Sequence, residues 1–413
     1  LIPAWVIASA QARASNNATT WAEDDYERLR GELAADPNLA ALFDELHLLL
    51  GTDPLSNADR IDYLLWAYND YLDRNDQPWR VEATLYVRDQ RPIFYTTSYR
   101  ILSDVETEDG RRVRLVRRAD PTNVVEGYLG HTQRAGDGAF VVMDRVLHFA
   151  ARNVWPLMHP AIDDRRPREE GAFGPAIRDE ALATLSPDLH GLLQETAVDQ
   201  QALVEVAQSI HARRGCGNHF RVWGLPYKGL SSRDQRSLVG ALLRSRESEC
   251  PEVTLPEAAR MVGASERLRH TDDIDAAIEE LGAWVARGVA AHELRHVADD
   301  AGGGPDCDGC PQSMSEAAVA ELSAYLSAFA TPRAGRVALL QACALVGRDG
   351  GAHAEALAFA FERLLPDGCG GGPPEDVHAR ARELELELFG DREPVRLPER
   401  FPQSVAMMEP LQK

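Results

Sequence analysis

The chain has 413 residues, 44% of them hydrophobic and 26% charged, the balance of a globular protein with room for two or three domain-sized cores. Its formal net charge of −21 argues against nucleic acid as a partner, because phosphate binding needs a basic face. Lys228 and Lys413 are the only lysines; with the other cations all Arg, and with abundant Ala, Gly and Asp, the composition looks like that of a high-GC bacterial genome.

"LIPAWVIASAQARASNN" opens the chain. Its apolar run falls short of the roughly 20 residues that cross a bilayer. It does resemble the end of an anchor or signal segment, and Ala10-Gln11-Ala12 has the small-x-small pattern of a cleavage site. The expectation for residues 1–19 is such a remnant, hence a possible membrane tether; an ordinary amphipathic segment is the other reading.

Residues 20–75 read as helical, with apolar side chains three and four apart and an interruption at Asp36-Pro37. "WRVEATLYVR", "RPIFYTTSYRIL" and "RRVRLVRR" then alternate apolar with polar residues, as half-buried strands do, and Asp109-Gly110 forms a hairpin-type turn between the last two. A further turn in "YLGHTQRAGDG", a strand near 139–143 and a helix complete an α+β domain over 20–160. A polar linker spans 161–176. From 177 to 413 the pattern is mainly helical, at about 177–213, 232–248, 255–262, 272–299, 313–330, 335–346, 351–365 and 375–389. The fold class is α+β, a strand-rich N-terminal half followed by a mainly helical C-terminal half.

Cys216, Cys250, Cys307, Cys310, Cys343 and Cys369 make an even set that permits disulfides. Cys307 and Cys310 form CDGC in a Gly/Pro-rich loop; such a pair can bind metal, cycle as a redox pair or close a small disulfide, and the lack of a second C-x-x-C argues against a four-cysteine zinc site and favours an oxidised loop clip. That points to an extracytoplasmic protein, although a cytoplasmic one is also compatible. Cys216 reads as a disulfide partner rather than as a nucleophile paired with His219.

The chemistry concentrates in "HELRH", where His292, Glu293 and His296 fit H-E-x-x-H. Residues four apart share a helix face, so two imidazoles can grip one Zn2+ while the intervening Glu takes a proton from water. The preceding residues form a helix with Thr271 or Asp272 as N-cap and an apolar stripe through Ile274, Ile278, Leu281, Val285 and Val289. That stripe runs on to His292 and His296 while Arg295 points elsewhere. Two buried imidazoles are costly unless something satisfies them; a metal does so, and so would hydrogen bonds within a core.

The next helix, "QSMSEAAVAELSAYLSAFA", offers two third ligands. Glu316 fits a capping box with Ser313 and shares a largely polar face with Ala320, Ser323 and Ser327. Glu321 lies in the core stripe of Ala318, Leu322, Tyr325 and Phe329. At 1.5 Å per residue, an antiparallel helix starting near Ser313 returns to the level of the histidines after about six residues, which favours Glu321. Tyr325, four past Glu321, can steady an oxyanion or serve as a core aromatic. His353, at the start of a later helix, can do the same or sit on the surface. Asp299 or Asp300 can orient a ligand imidazole or belong to a solvated helix end. His131 and His270 carry less information.

HELRH on one helix and a Glu on the next, over residues 272–330, resemble the gluzincin branch of HExxH zinc metallopeptidases. In thermolysin-like members the spacing of the ligand Glu would select Glu316, here in Ser315-Glu316-Ala317, but the Asp expected four residues later is Ala320. "ELSAY" is more similar to other gluzincin-type families. The metzincin pattern is absent. The resemblance implies a zincin-like C-terminal half and a hydrolase acting on peptides or proteins, with Zn2+ on His292, His296 and Glu321, Glu293 as general base and Tyr325 as helper. The competing expectation is a noncatalytic binding or assembly protein with a structural zinc site.

Overall fold

The computed structural model describes residues 37–52, 58–88, 91–118, 128–132, 138–158, 179, 181–213, 229–246, 248–271, 273–345, 351–369, 376–398 and 401–402. The N-terminal segment 1–19, the linker 161–176, Cys216 and His219 lie outside them. The chain divides into two compact units, residues 1–104 with 114–128 and 410–413, and residues 105–113 with 129–409.

In the first unit, helices α1 (Pro37–Thr52) and α2 (Ala58–Arg74) precede strands β1 (Trp79–Arg88) and β2 (Arg91–Glu106). The two strands pair antiparallel, from Trp79 opposite Arg100 to Arg88 opposite Arg91. Asn69 joins α2 to β1: its Nδ2 donates to the Val81 carbonyl at 2.8 Å, and the Val81 N–H donates to its Oδ1 at 2.9 Å. The buried Arg80 and Arg114 both pair with Asp73, and Arg114 also with Asp104, which satisfies cations that would otherwise be expensive to bury.

Strands β3 (Arg112–Arg118), β4 (Gly130–Thr132) and β5 (Ala139–Val142) complete a five-stranded sheet in the order β1-β2-β3-β5-β4, with β4 at an edge. β4 corrects the expectation of a plain turn in "YLGHTQRAGDG". Three residues are too few to display a period of two, so no alternation advertised this strand.

The second unit is helical beyond β5. Helix α3 (Met143–Phe149) passes through a π turn (Ala150–Val154) into α4 (Trp155–Met158). Then come α5 (Pro187–Ala212), α6 (Ser232–Ser245), α7 (Leu255–Arg269), α8 (Ile274–Ala301), α9 (Glu316–Ala330), α10 (Ala334–Leu345), α11 (Ala352–Leu364) and α12 (Val377–Phe389). Helix α8 is the central rod. It contacts α9, α10, α5, α3, β4 and β5, and Ile274, Ile278, Leu281, Val285 and Val289 are all buried, as the apolar stripe predicts. Ala283, Ala286, Ala290 and Ala291 are buried too, so α8 is covered on more than one face.

Two caps differ from expectation. Asp273, with φ of 63°, is the N-cap of α8 and makes no side-chain cap hydrogen bond, while the Thr271 hydroxyl donates back to the Arg267 carbonyl of α7. The cap of α9 is Ser315, whose side chain accepts from the Ala318 N–H at 3.2 Å, so Ser313 forms no capping box with Glu316. Helix α7 also runs past the expected end at 262 to Arg269, held by a Thr254–Glu257 capping box and by burial of Met261, Ala264 and Leu268.

Disulfides join Cys307 to Cys310 in the α8–α9 loop, as expected of CDGC, and Cys343 to Cys369. Among the described residues no helix is long and apolar enough to cross a membrane.

Candidate metal centre

One α-helical turn separates His292 from His296 on α8, so both rings leave the same face. They converge: the two Nε2 atoms lie 3.2 Å apart, with ring planes inclined at 80°. Glu321 arrives from α9, its Oε2 3.1 Å from His292 Nε2 and its Oε1 3.7 Å from His296 Nε2. These three residues each offer one ligand atom, all within 4.8 Å of one another. Ligands bound tetrahedrally to zinc at its usual bond lengths stand about 3.3 Å apart. The observed separations scatter around that value, and Glu321 Oε2 has no hydrogen-bond partner although it is buried. The donor set therefore fits a zinc ion.

Position on the helix separates the two glutamates. Glu321 sits one turn before Tyr325, on the side of α9 that meets α8, while Glu316 is exposed at the first position of the helix and outside the cluster. The face read as largely polar is in fact buried: Ser323 and Ser327 are covered, and the Ser323 hydroxyl donates to Asp299 of α8. Small hydroxyls are apolar enough to pack when each finds an acceptor, which is why the sequence pattern misled.

Asp299 is not oriented toward a ligand imidazole. Its carboxylate is used by Ser323, by Arg295 Nε at 3.0 Å and by Arg392 NH1 at 3.0 Å. Arg392 reaches on to Glu385 of α12 at 3.2 Å. This buried ionic chain ties α8 to α9, α12 and the segment beyond α12; Arg295 points away from the histidines into it. Asp300 is exposed.

Electrostatics separates the two carboxylates of the site. Burial pushes the Glu293 carboxyl up, and the neighbouring His292, His296 and His131 only partly oppose this. Burial would raise Glu321 as well, but the imidazoles of His292, His296 and His353 standing against it outweigh that and hold the carboxylate well below the usual range. For His296, burial disfavours the cation, yet Glu321, Glu293 and Asp299 together raise its pKa.

Other side chains close around the centre. Tyr325 places its ring 4.7 Å from that of His292. His353 of α11 brings Nδ1 within 3.0 Å of Glu321 Oε2 and 3.2 Å of the Tyr325 hydroxyl. On the opposite side, β4 lies directly on Glu293: a Cβ added at Gly130 would come within 2.8 Å of Glu293 Cγ and 2.6 Å of Val289 Cγ1. Sequence reasoning missed this strand, whose one available signal was a glycine next to a histidine. His270 is remote in role, exposed and 3.8 Å from Glu266.

Compared with protein-family models, with curated proteins and with solved structures, the chain finds no match.

Proposed function

We propose that the chain is a zinc-dependent peptidase with a zincin-like helical half, in which His292, His296 and Glu321 hold the ion and Glu293 is the general base. One observation carries the reading: His292, His296 and Glu321 each bring one donor atom to the same place, all within 4.8 Å of one another, beside the buried carboxylate of Glu293 from the histidines' own helix. Structural zinc sites take four protein ligands, whereas catalytic ones keep a position open. Three protein ligands meet here among the described residues, and a structural site has no use for Glu293.

Zinc bound there supplies Lewis acidity, polarising a carbonyl and acidifying water. Glu293, buried beside the ligands, accepts the proton of the attacking water and passes it to the leaving amine. The Tyr325 hydroxyl, on the His292 side, donates to the oxygen on which charge develops. Strand β4 lies at an edge of the sheet and packs on Glu293, an arrangement that suits an extended peptide added as a further strand. The substrate class is therefore a peptide or an unfolded protein segment. Disulfides at Cys307–Cys310 and Cys343–Cys369 support an oxidising, extracytoplasmic compartment, and a bacterial source fits the Lys-poor composition.

The test is digestion of a peptide library by wild type and Glu293→Gln, with zinc measured on both. Glu293→Gln is expected to retain zinc and to lose activity by about 10²–10⁴-fold, the worth of a positioned general base. Full activity in Glu293→Gln would remove the mechanism.

A further inference from the structure

Glu321 comes to the histidines from a different helix, and its buried Oε2 has no hydrogen-bond partner. Where the carboxylate stands is therefore set by where α9 lies on α8. Apolar burial is non-directional, so packing alone leaves one helix free to roll slightly on another. A directional contact close to the ligands is needed to fix that roll.

Ser323 supplies one. It lies two positions beyond Glu321, is 0% exposed, and its hydroxyl donates to Asp299 Oδ2 on α8, three positions beyond His296. The bond thus links the two ligand-bearing helices within one turn of a ligand on each. Its acceptor is held from the other side. Arg392 NH1 donates to Asp299 Oδ1 at 3.0 Å, and Arg392 NH2 donates to Glu385 Oε1 at 3.2 Å. Arg382 of α12 in turn donates to Glu385 Oε2 at 2.7 Å and to the Arg392 carbonyl at 2.9 Å. The two oxygens of Asp299 are engaged from different elements, which fixes the carboxylate plane that Ser323 meets.

We infer that Ser323 is a positioning residue of the metal centre: through its bond to Asp299 it fixes the roll of α9 on α8 and holds Glu321 where it can share one ion with His292 and His296. The inference rests on the zinc reading above and adds the group that preorganises the third ligand. Ligands held in place by the fold need little ordering when an ion binds, so their affinity is higher. Without the Ser323 hydroxyl, α9 relaxes away from α8 and binding has to draw Glu321 back. A hydroxyl that served folding alone would behave differently: its removal would lower the melting temperature and leave zinc affinity untouched.

The decisive comparison is zinc affinity, measured by competition with a chelating indicator, for wild type, Ser323→Ala and Ser327→Ala. Ser327 is buried on the same helix one turn further on and is not bonded to Asp299, so it controls for loss of any buried hydroxyl from α9. Ser323→Ala removes a single oxygen and is expected to weaken zinc binding by about tenfold, the lower end of what a hydrogen bond to a charged group is worth. Ser327→Ala is expected to bind zinc as wild type does. Cobalt substituted for zinc should show altered d–d absorption in Ser323→Ala alone, because Glu321 is displaced in the coordination sphere. Wild-type zinc affinity in Ser323→Ala, with or without a lowered melting temperature, would overturn the inference. Equal weakening in Ser327→Ala would overturn it too, by tracing the effect to a general loosening of α9. A wild type that takes up no zinc would overturn the peptidase reading and this inference together.

Discussion

Glu293 and Glu321 stand beside the same two imidazoles, yet their surroundings drive them apart. Burial dominates at Glu293 and raises it, whereas three imidazoles converge on Glu321 and keep it ionised. Two carboxylates divided in this way suit two tasks, a proton acceptor and a permanent anion. The division was partly legible. H-E-x-x-H marked the first, and the core stripe through Leu322, Tyr325 and Phe329 marked the second against Glu316. Gly130 was not legible, because its importance comes from β4 crossing α8, a contact between residues far apart in the chain. Its missing Cβ is what lets the strand approach Glu293 and the Phe140 carbonyl, 2.8 Å from where a Cβ would stand. Gly130→Ala is expected to cost about 1–3 kcal/mol through overpacking and to displace Glu293. Activity should therefore fall more than zinc affinity, as read by kcat/KM and chelator competition on the same preparation. Unchanged kcat/KM would show that β4 does not hold the base.

Helices α8 and α9 owe their mutual placement to polar groups that sequence patterns read as surface. Ser323, Asp299, Arg295, Arg392 and Glu385 form one buried chain, and periodicity cannot distinguish a buried ion pair from an exposed one. Helix existence was legible throughout the second unit because apolar spacing is strong over ten or more residues. Ends were less so: the helix start near 255 was visible, but the continuation to Arg269 depends on packing against α5. That packing carries a pH signature. Burial would raise the Glu257 carboxyl, but hydrogen bonds from Arg213, Ser209 and Thr254 outweigh it and lower it from the ordinary 4.5 to about 2. A carboxylate depressed on folding stabilises the folded state fully above its unfolded pKa and loses that contribution as pH falls through the folded value. The stability gap between wild type and Glu257→Gln, followed by thermal melts, should thus be widest near neutral pH, at about 1–2 kcal/mol after solvent screening, and close from pH 4.5 toward 2. A gap that stays constant over that range would exclude the Arg213–Glu257 tie as its origin.

For the molecule as a whole, composition indicated a globular chain and patterning indicated α+β, and the sheet and helical region have that character. The disulfide in CDGC was readable from spacing within a Gly-rich loop; Cys343–Cys369 was not, since pairing across 26 positions depends on how α10 and the end of α11 meet. The claim on which the rest depends is that α8 and α9 together make one high-affinity zinc site. Zinc per chain, measured by elemental analysis after loading with excess zinc and extensive desalting, tests it most directly. Wild type should retain one equivalent, Glu293→Gln the same, and Glu321→Ala much less, because its loss removes a ligand and leaves only the two imidazoles. Wild type emerging with no zinc, or Glu321→Ala retaining a full equivalent, would contradict the site.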